Sequence, residues 1–371
     1  MGHASMALAG DVSNMFYNPA TLAYVDSSQV SASLSTYARI DTRTGEFVSL
    51  FKSARDNIKR GGFLAIPSMV GGNMKWGNWQ WGGAVLVPYM YSNSGTVELN
   101  SQDAAAFESQ FNTVWLGAFL ARKYGRHNFG LSLFYASHDV NEKFFFVTTS
   151  TNPISIRFVE KSTSSSATVA VLGATYDLSE NWKIGYSARL KGFAIGGLGE
   201  YTDATSGSNT AATADSFFSK FVPFPNRVSA GISNKVNNKL TLAADFHFYF
   251  PIKGNFKGDA SALFNVDAKA VLNTMLGAEY FLSPTLGFRL GIYSNMSAAK
   301  TVPTYLTAID DKVHMFGGTT AIVFEKPTGS ISLGGYVIGG QGSSGTLSQV
   351  PTPTARSNYI YGFVVASNYK F

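Results

Sequence analysis

From Leu240 to Phe250 the chain alternates without a break. Leu240, Leu242, Ala244, Phe246, Phe248 and Phe250 fall on one side of an extended strand, and Thr241, Ala243, Asp245, His247 and Tyr249 on the other. One face is apolar and the opposite one carries titratable groups. The same period of two sets Phe129, Leu131, Leu133 and Tyr135 against Gly130, Ser132 and Phe134, and Leu286, Phe288, Leu290 and Ile292 against Gly287, Arg289 and Gly291. Between Trp182 and Leu190 an apolar face opposes Lys183, Gly185, Ser187 and Arg189. Counting such segments gives about fourteen strands, an even number, each long enough to supply the roughly 9 to 11 residues that cross a bilayer at a tilt.

The connections alternate as well. Short ones fall at Gly77-Asn78, Tyr124 to Asn128, Leu178 to Asn181, Val236 to Asn238, Leu282 to Thr285 and Glu325 to Gly329. Long ones fall near 43–60, 93–111, 147–163, 197–223, 253–270, 298–311 and 342–355. Tight turns on one side and long loops on the other are the habit of an outer-membrane barrel. No run of about 20 apolar residues exists to make a spanning helix; the uncharged stretch Trp76 to Val97 is interrupted by Asn78, Gln80, Gly82, Gly83, Pro88 and Asn93. In hydrocarbon every backbone N–H and C=O needs a protein partner, so a spanning sheet has to close on itself. A soluble sandwich also alternates, but it needs no polar face opposite each apolar one and no hairpins of this length. The expected fold is therefore all-β, an antiparallel transmembrane β-barrel of about 14 strands.

Composition agrees. Only 14% of residues are charged, against about 25% in ordinary soluble domains, while 29 Phe and 18 Tyr supply a large apolar surface. The formal charge of +6 is spread without long like-charged runs, which argues against nucleic acid as a partner. With no Cys, disulfides, thiolate metal sites and cysteine nucleophiles are excluded. The start, MGHASMALAGD, lacks a basic segment followed by an apolar one, so a secretion leader is expected to have been removed. Asp245 and His247 share a face suited to acid–base work, but no G-x-S-x-G, Walker loop or H-E-x-x-H accompanies them. His3, His127, His138, His247 and His314 are scattered. No enzymatic activity and no cofactor are expected.

Ahead of the first strand lies Gly10-Asp11-Val12-Ser13-Asn14-Met15-Phe16-Tyr17-Asn18-Pro19-Ala20-Thr21-Leu22-Ala23. This segment resembles the amino-terminal hatch of the FadL/TodX family of outer-membrane transporters for hydrophobic compounds, with its Asn-Pro-Ala core in a FYNPAGLA setting; Thr21 stands where the family usually has Gly. A second similarity lies in Ile66-Pro67-Ser68 and in Trp79 to Tyr89, WQWGGAVLVPY, close to the family's second and third strands. The resemblance implies residues 1–26 as a hatch in the lumen and 27–371 as the barrel, with Phe16, Tyr17, Asn18, Pro19 and Ala20 at the gate. The residues alone agree: turn-forming Gly10, Asp11, Ser13 and Asn14 and the fixed backbone of Pro19 suit a plug, and Phe16, Tyr17, Leu22 and Tyr24 are costly to leave in water.

Proline removes a ladder hydrogen bond, so Pro88, in one strand with Gly82-Gly83, suggests a kink or gap in the wall; a place at the extracellular end of the strand explains it equally well. The resemblance assigns this strand a lateral opening through which substrate leaves. It likewise implies an external ligand groove in the third and fourth loops, where Phe144, Phe145 and Phe146 and then Phe217, Phe218, Phe221 and Phe224 stand. Lys183, Arg189, Lys191, Asp245, Glu279 and Arg289 share inward parity, either to hold the carboxylate of a fatty acid or to pair with one another, as Glu279 and Arg289 can across adjacent strands. Tyr369 and the final Phe371 resemble the signal read by outer-membrane assembly machinery and also suit an aromatic girdle.

The leading expectation is a passive transporter in the outer membrane of a Gram-negative bacterium, moving long-chain fatty acids or aromatic hydrocarbons. Its partners would be those molecules, lipopolysaccharide and phospholipid, and the assembly machinery. Two alternatives remain at this point: a FadL-like barrel acting as a docking subunit of a secretion or surface assembly with a protein partner, and a general porin, which a plug and aromatic loops disfavour.

Overall fold

The structure, a computed structural model, describes residues 4–44, 56–57, 66–98, 103–149, 151, 154–206, 213–218, 224–254, 266–300, 311–344 and 354–371. Fourteen antiparallel strands close into one barrel. They are β1 (Gln29–Thr44), β2 (Ile66–Trp76), β3 (Trp79–Glu98), β4 (Asp103–Tyr124), β5 (His127–Thr148), β6 (Ser155–Asp177) and β7 (Trp182–Ser206), followed by β8 (Arg227–Lys235), β9 (Leu240–Tyr249), β10 (Val271–Ser283), β11 (Leu286–Asn295), β12 (Asp311–Lys326), β13 (Gly329–Ser344) and β14 (Thr354–Lys370). Each strand pairs with its neighbours in sequence, and β14 pairs with β1 from Gln29↔Lys370 to Thr44↔Arg356, which removes both sheet edges. Short strands Asp56–Asn57 and Thr213–Phe218 extend the same sheet, pairing with the far ends of β3 and β7, and Ile252–Gly254 pairs with Val266–Ala268 in a separate two-stranded sheet.

Alternation decides which face meets what. Leu116, Leu120, Leu133, Phe246, Leu272, Leu290, Ile292, Phe316, Leu333 and Phe363 are exposed on the outside, while their sequence neighbours Trp115, Phe119, Phe134, Asp245 and His247 are buried inside. An exterior of that composition is stable against hydrocarbon and not against water. At two of the tight turns Gly77 (φ 58°) and Gly125 (φ 59°) adopt the left-handed backbone that two-residue hairpin loops demand.

The upper hairpins depart from expectation. Much of what the sequence suggests as long loop is strand: β3 and β4 stay paired up to Glu98↔Ala104, β5 and β6 up to Thr148↔Ser155, and β7 runs for 25 residues. These extensions also carry cross-strand polar and ionic pairs. Glu142 meets Lys161 at 3.2 Å and Lys143 meets Glu160 at 3.3 Å. Arg157 donates to both carboxylate oxygens of Asp203, at 3.0 and 2.6 Å, and holds that carboxyl below the usual range. Hydropathy alternation fades where the strands leave the lipid, although the ladder continues.

Among the described residues the ladder is interrupted at two places. The β2–β3 ladder ends at Met69↔Leu86, whereas β3 stays with β4 through a bulge in which Val87 and Pro88 face Val114. Gly82 and Gly83 lie below this break in regular pairing, where a side chain on Gly82 would strike the backbone of Gly72. They bring strands close and do not form the kink themselves. The second interruption is in β7. Its ladder with β8 ends at Arg189↔Arg227, and two bulges toward β6 follow, one at Lys191–Gly192 and one at Ile195.

Candidate functional site

The amino-terminal segment lies against the inner face of the wall. Ser13 precedes a single helical turn, Asn14–Tyr17, and Asn18 caps a second turn, Pro19–Tyr24, with its side-chain oxygen accepting the Ala20 N–H at 3.2 Å. Pro19 occupies the first position of that turn, where a missing N–H costs nothing. The Asn18 amide also donates to the Met6 carbonyl at 2.7 Å and to the Ala174 carbonyl of β6 at 3.3 Å. Thr21 fits its place: its hydroxyl donates to the Asn18 carbonyl and accepts from the Asn14 amide, both at 2.8 Å.

Pairs of inward-facing glycines make room for this segment. Gly130 and Gly173 sit opposite one another on β5 and β6, and a side chain on either would overlap Pro19, Ala20 or the Asn18 amide. Gly185 and Gly231, opposite one another on β7 and β8, do the same for Met6. Asp245 on β9 accepts the backbone N–H groups of Ser5 and Met6 at 2.5 and 2.9 Å, and Ser233 donates to the Ala7 carbonyl at 3.0 Å. Where the segment leads into β1, Tyr24 donates to Asp177 at 2.6 Å and lies under the Lys183 ammonium, 3.6 Å from the ring centre.

Met15, Leu22 and Val12 join inward-facing Leu86, Trp115, Phe119, Phe134, Val169 and Val171 in one buried cluster. Its centre is Trp115 on β4, whose ring stands 5.0 Å from Phe16, 5.1 Å from Phe134 and 5.0 Å from Phe224. Beside it, Arg189 and Arg227 face each other across β7 and β8. Arg189 packs on Trp115 and Tyr249 and donates to the Pro225 carbonyl at 3.3 Å. Arg227 packs on Phe16 and Tyr17 and donates to their carbonyls at 3.1 and 3.3 Å. Both Nε atoms are buried without a partner, and neither guanidinium has an acidic partner among the described residues. Like charges placed directly opposite repel, so this pair is a standing attraction for an anion set among aromatic rings.

The remaining expected site residues are distributed as follows. Phe16 and Tyr17 meet Arg227, whereas Asn18, Pro19 and Ala20 lie against Gly130 and Gly173; Arg227 carried no signal of its own in the sequence. Asp245 and His247 are buried, the first bonded to the amino-terminal segment and the second to Ser229 at 2.7 Å. Glu279 and Arg289 pair across β10 and β11 at 2.5 Å. Lys191 departs from its expected inward parity: the bulge ends the alternation there and leaves it exposed, with its N–H bonded to the Asn226 side chain. Phe144, Phe145 and Phe146 belong to β5 and not to a loop; Phe144 is buried inside and Phe145 exposed outside, so they form no single patch. The backbone of Phe217 and Phe218 is in a short strand paired with β7, and Phe221 lies outside the described residues. Tyr369 and Phe371 stack at 6.4 Å on the exterior.

No protein-family model matches the chain, and no curated protein matches it in sequence. Among solved structures, a Pseudomonas aeruginosa FadL homologue superposes with a TM-score of 0.75 at 12% identity, covering 99% of this chain and 96% of its own. The P. putida toluene transporter TodX gives 0.73 at 14% identity, covering 100% and 97%. The monoaromatic hydrocarbon channel CymD gives 0.68 at 13%, covering 99% and 94%. The chain thus has the fold of the FadL- and TodX-type barrels along its whole length.

Proposed function

We propose that the protein is a passive outer-membrane channel for hydrophobic molecules and that its preferred cargo bears an anionic head, as long-chain fatty acids do. The observation that supports this reading most is the Arg189–Arg227 pair beside Trp115, Phe16 and Phe224: an apolar wall for a tail and two uncompensated cations for a carboxylate. Residues 1–26 act as the hatch and 27–371 as the barrel. Leu86 and Trp115 form the last regular pair below the Val87–Pro88 bulge, so the cluster abuts the break in β3, and cargo leaves sideways there after Asn18 and its neighbours shift. Tyr369 and Phe371 serve assembly.

Uptake of radiolabelled oleate and of toluene into a deletion strain tests this. The wild-type chain should restore oleate uptake, and Arg189→Gln with Arg227→Gln should lower it about tenfold, the effect of roughly 1.4 kcal/mol, while leaving toluene unchanged. If the wild-type chain restores neither, the barrel is a scaffold. If the double variant takes up oleate as well as wild type, the arginines do not read the head group.

A further inference from the structure

On the outer face, at the short-turn end of β3, β4 and β5, a groove of about 380 Å³ is lined by Trp79, Leu120, Arg122, Tyr124, Phe129 and Leu131. The ladder sets Arg122 between Trp79 on β3 and Phe129 on β5, with Leu120 opposite Leu131 one step further into the apolar band. Arg122 is exposed, its guanidinium lies 4.8 Å from the centre of the Trp79 ring, and it has no acidic partner among the described residues. The turn that follows adds the exposed Arg126. An unpaired guanidinium on a lipid-facing wall is costly unless it sits at the interface with an anion to meet it. Stacking on Trp79 fixes its plane, and a fixed guanidinium presents two N–H groups to one phosphate. Above the guanidinium the exposed side chains Leu120, Leu131, Leu133 and Leu116 continue the groove as an apolar track.

We infer that this groove is a binding site for one anionic glycerophospholipid, with its phosphate on Arg122 and an acyl chain along Leu120 and Leu131. Charge and shape argue together for this occupant: the cation lies at the membrane boundary, three residues from the Gly125 turn, and the apolar track runs from it toward the bilayer centre. The site is on the outside, facing away from the lumen cluster. It rests on the membrane placement proposed above and not on transport, so the two readings fail separately.

Native mass spectrometry of the detergent-purified chain, titrated with phosphatidylglycerol or phosphatidylcholine, tests the inference. The wild-type chain should retain one phosphatidylglycerol at a concentration about tenfold below that needed for phosphatidylcholine, a difference of roughly 1.4 kcal/mol. Arg122→Gln should abolish that preference, Arg122→Lys should keep part of it, and Lys191→Gln, on a distant part of the wall, should leave it intact. Heat-modifiable migration checks folding, and if Arg122→Gln fails to fold, Trp79→Leu, which removes the stacking and leaves the charge, takes its place. Equal retention of the two lipids by the wild-type chain, loss of preference in Lys191→Gln, or displacement of the lipid by inorganic phosphate would each overturn it. Oleate uptake should be the same in Arg122→Gln and wild type.

Discussion

The two interruptions of the wall are built alike, each combining a bulge with the loss of one ladder partner. Above Leu86, β3 loses β2 and, among the described residues, finds a ladder partner on that side again only at Thr96 and Val97, which pair with Asn57 and Asp56. Above Arg189, β7 loses β8 and regains a partner at Leu198, opposite Phe218. At β7 the chain that enters β8 fills the space: Asn226 bonds the Lys191 N–H, the Pro225 carbonyl accepts from Arg189, and Phe224 packs on Trp115. At β3 the chain that enters β2 lies outside the described residues, and Pro88 has no N–H to offer a partner.

The contrast can be broken in order of expected effect. Trp115→Ala should cost about 3–5 kcal/mol, as large-to-small changes of buried aromatics do, read as a lower thermal transition in detergent. Because Trp115 supports Phe224, the variant should also make uptake less dependent on β3. Restoring the β3 ladder by deleting Val87 together with Pro88→Val should lower oleate uptake at least about tenfold, the consequence of a barrier higher by roughly 1.4 kcal/mol; uptake equal to wild type would move the exit elsewhere. Asn226→Ala removes one side-chain hydrogen bond and should cost about 1 kcal/mol. Smallest of all, deleting Ile195 to remove one β7 bulge should leave uptake within about twofold, since 0.4 kcal/mol or less separates such rates; a larger fall would mean that β7 is also a route.

The barrel was legible because lipid on one side and a polar interior on the other impose a period of two, and Leu240 to Phe250 displays it in full. The upper hairpins were not, because Lys143, Glu160, Arg157 and Asp203 pair across strands that no longer need an apolar face. Residues of the FYNPA segment could be singled out, yet not their receptors. Gly130, Gly173, Gly185 and Gly231 look like any barrel glycines until the register sets them opposite one another in pairs. Asp245 was visible as a titratable group but its task, accepting from Ser5 and Met6, joins residues about 240 positions apart. Lys191 shows the limit of parity arguments: one bulge beyond Arg189 cancels the count.

The pairing of β1 with β14 has a kinetic corollary. That seam joins segments more than 300 residues apart, so loop-closure entropy makes it a late event in folding. The segment that precedes β1 is tethered to one lip of the seam, through the Ser28 carbonyl that accepts the Phe371 N–H. It has to be on the inner side before the lips zip together, because afterwards Phe16, Tyr17 and Leu22 would have to be threaded through a finished cylinder. Internal cargo loaded before the door is shut thus becomes part of the assembly pathway itself, and a chain that zips early would yield an empty, leaky shell.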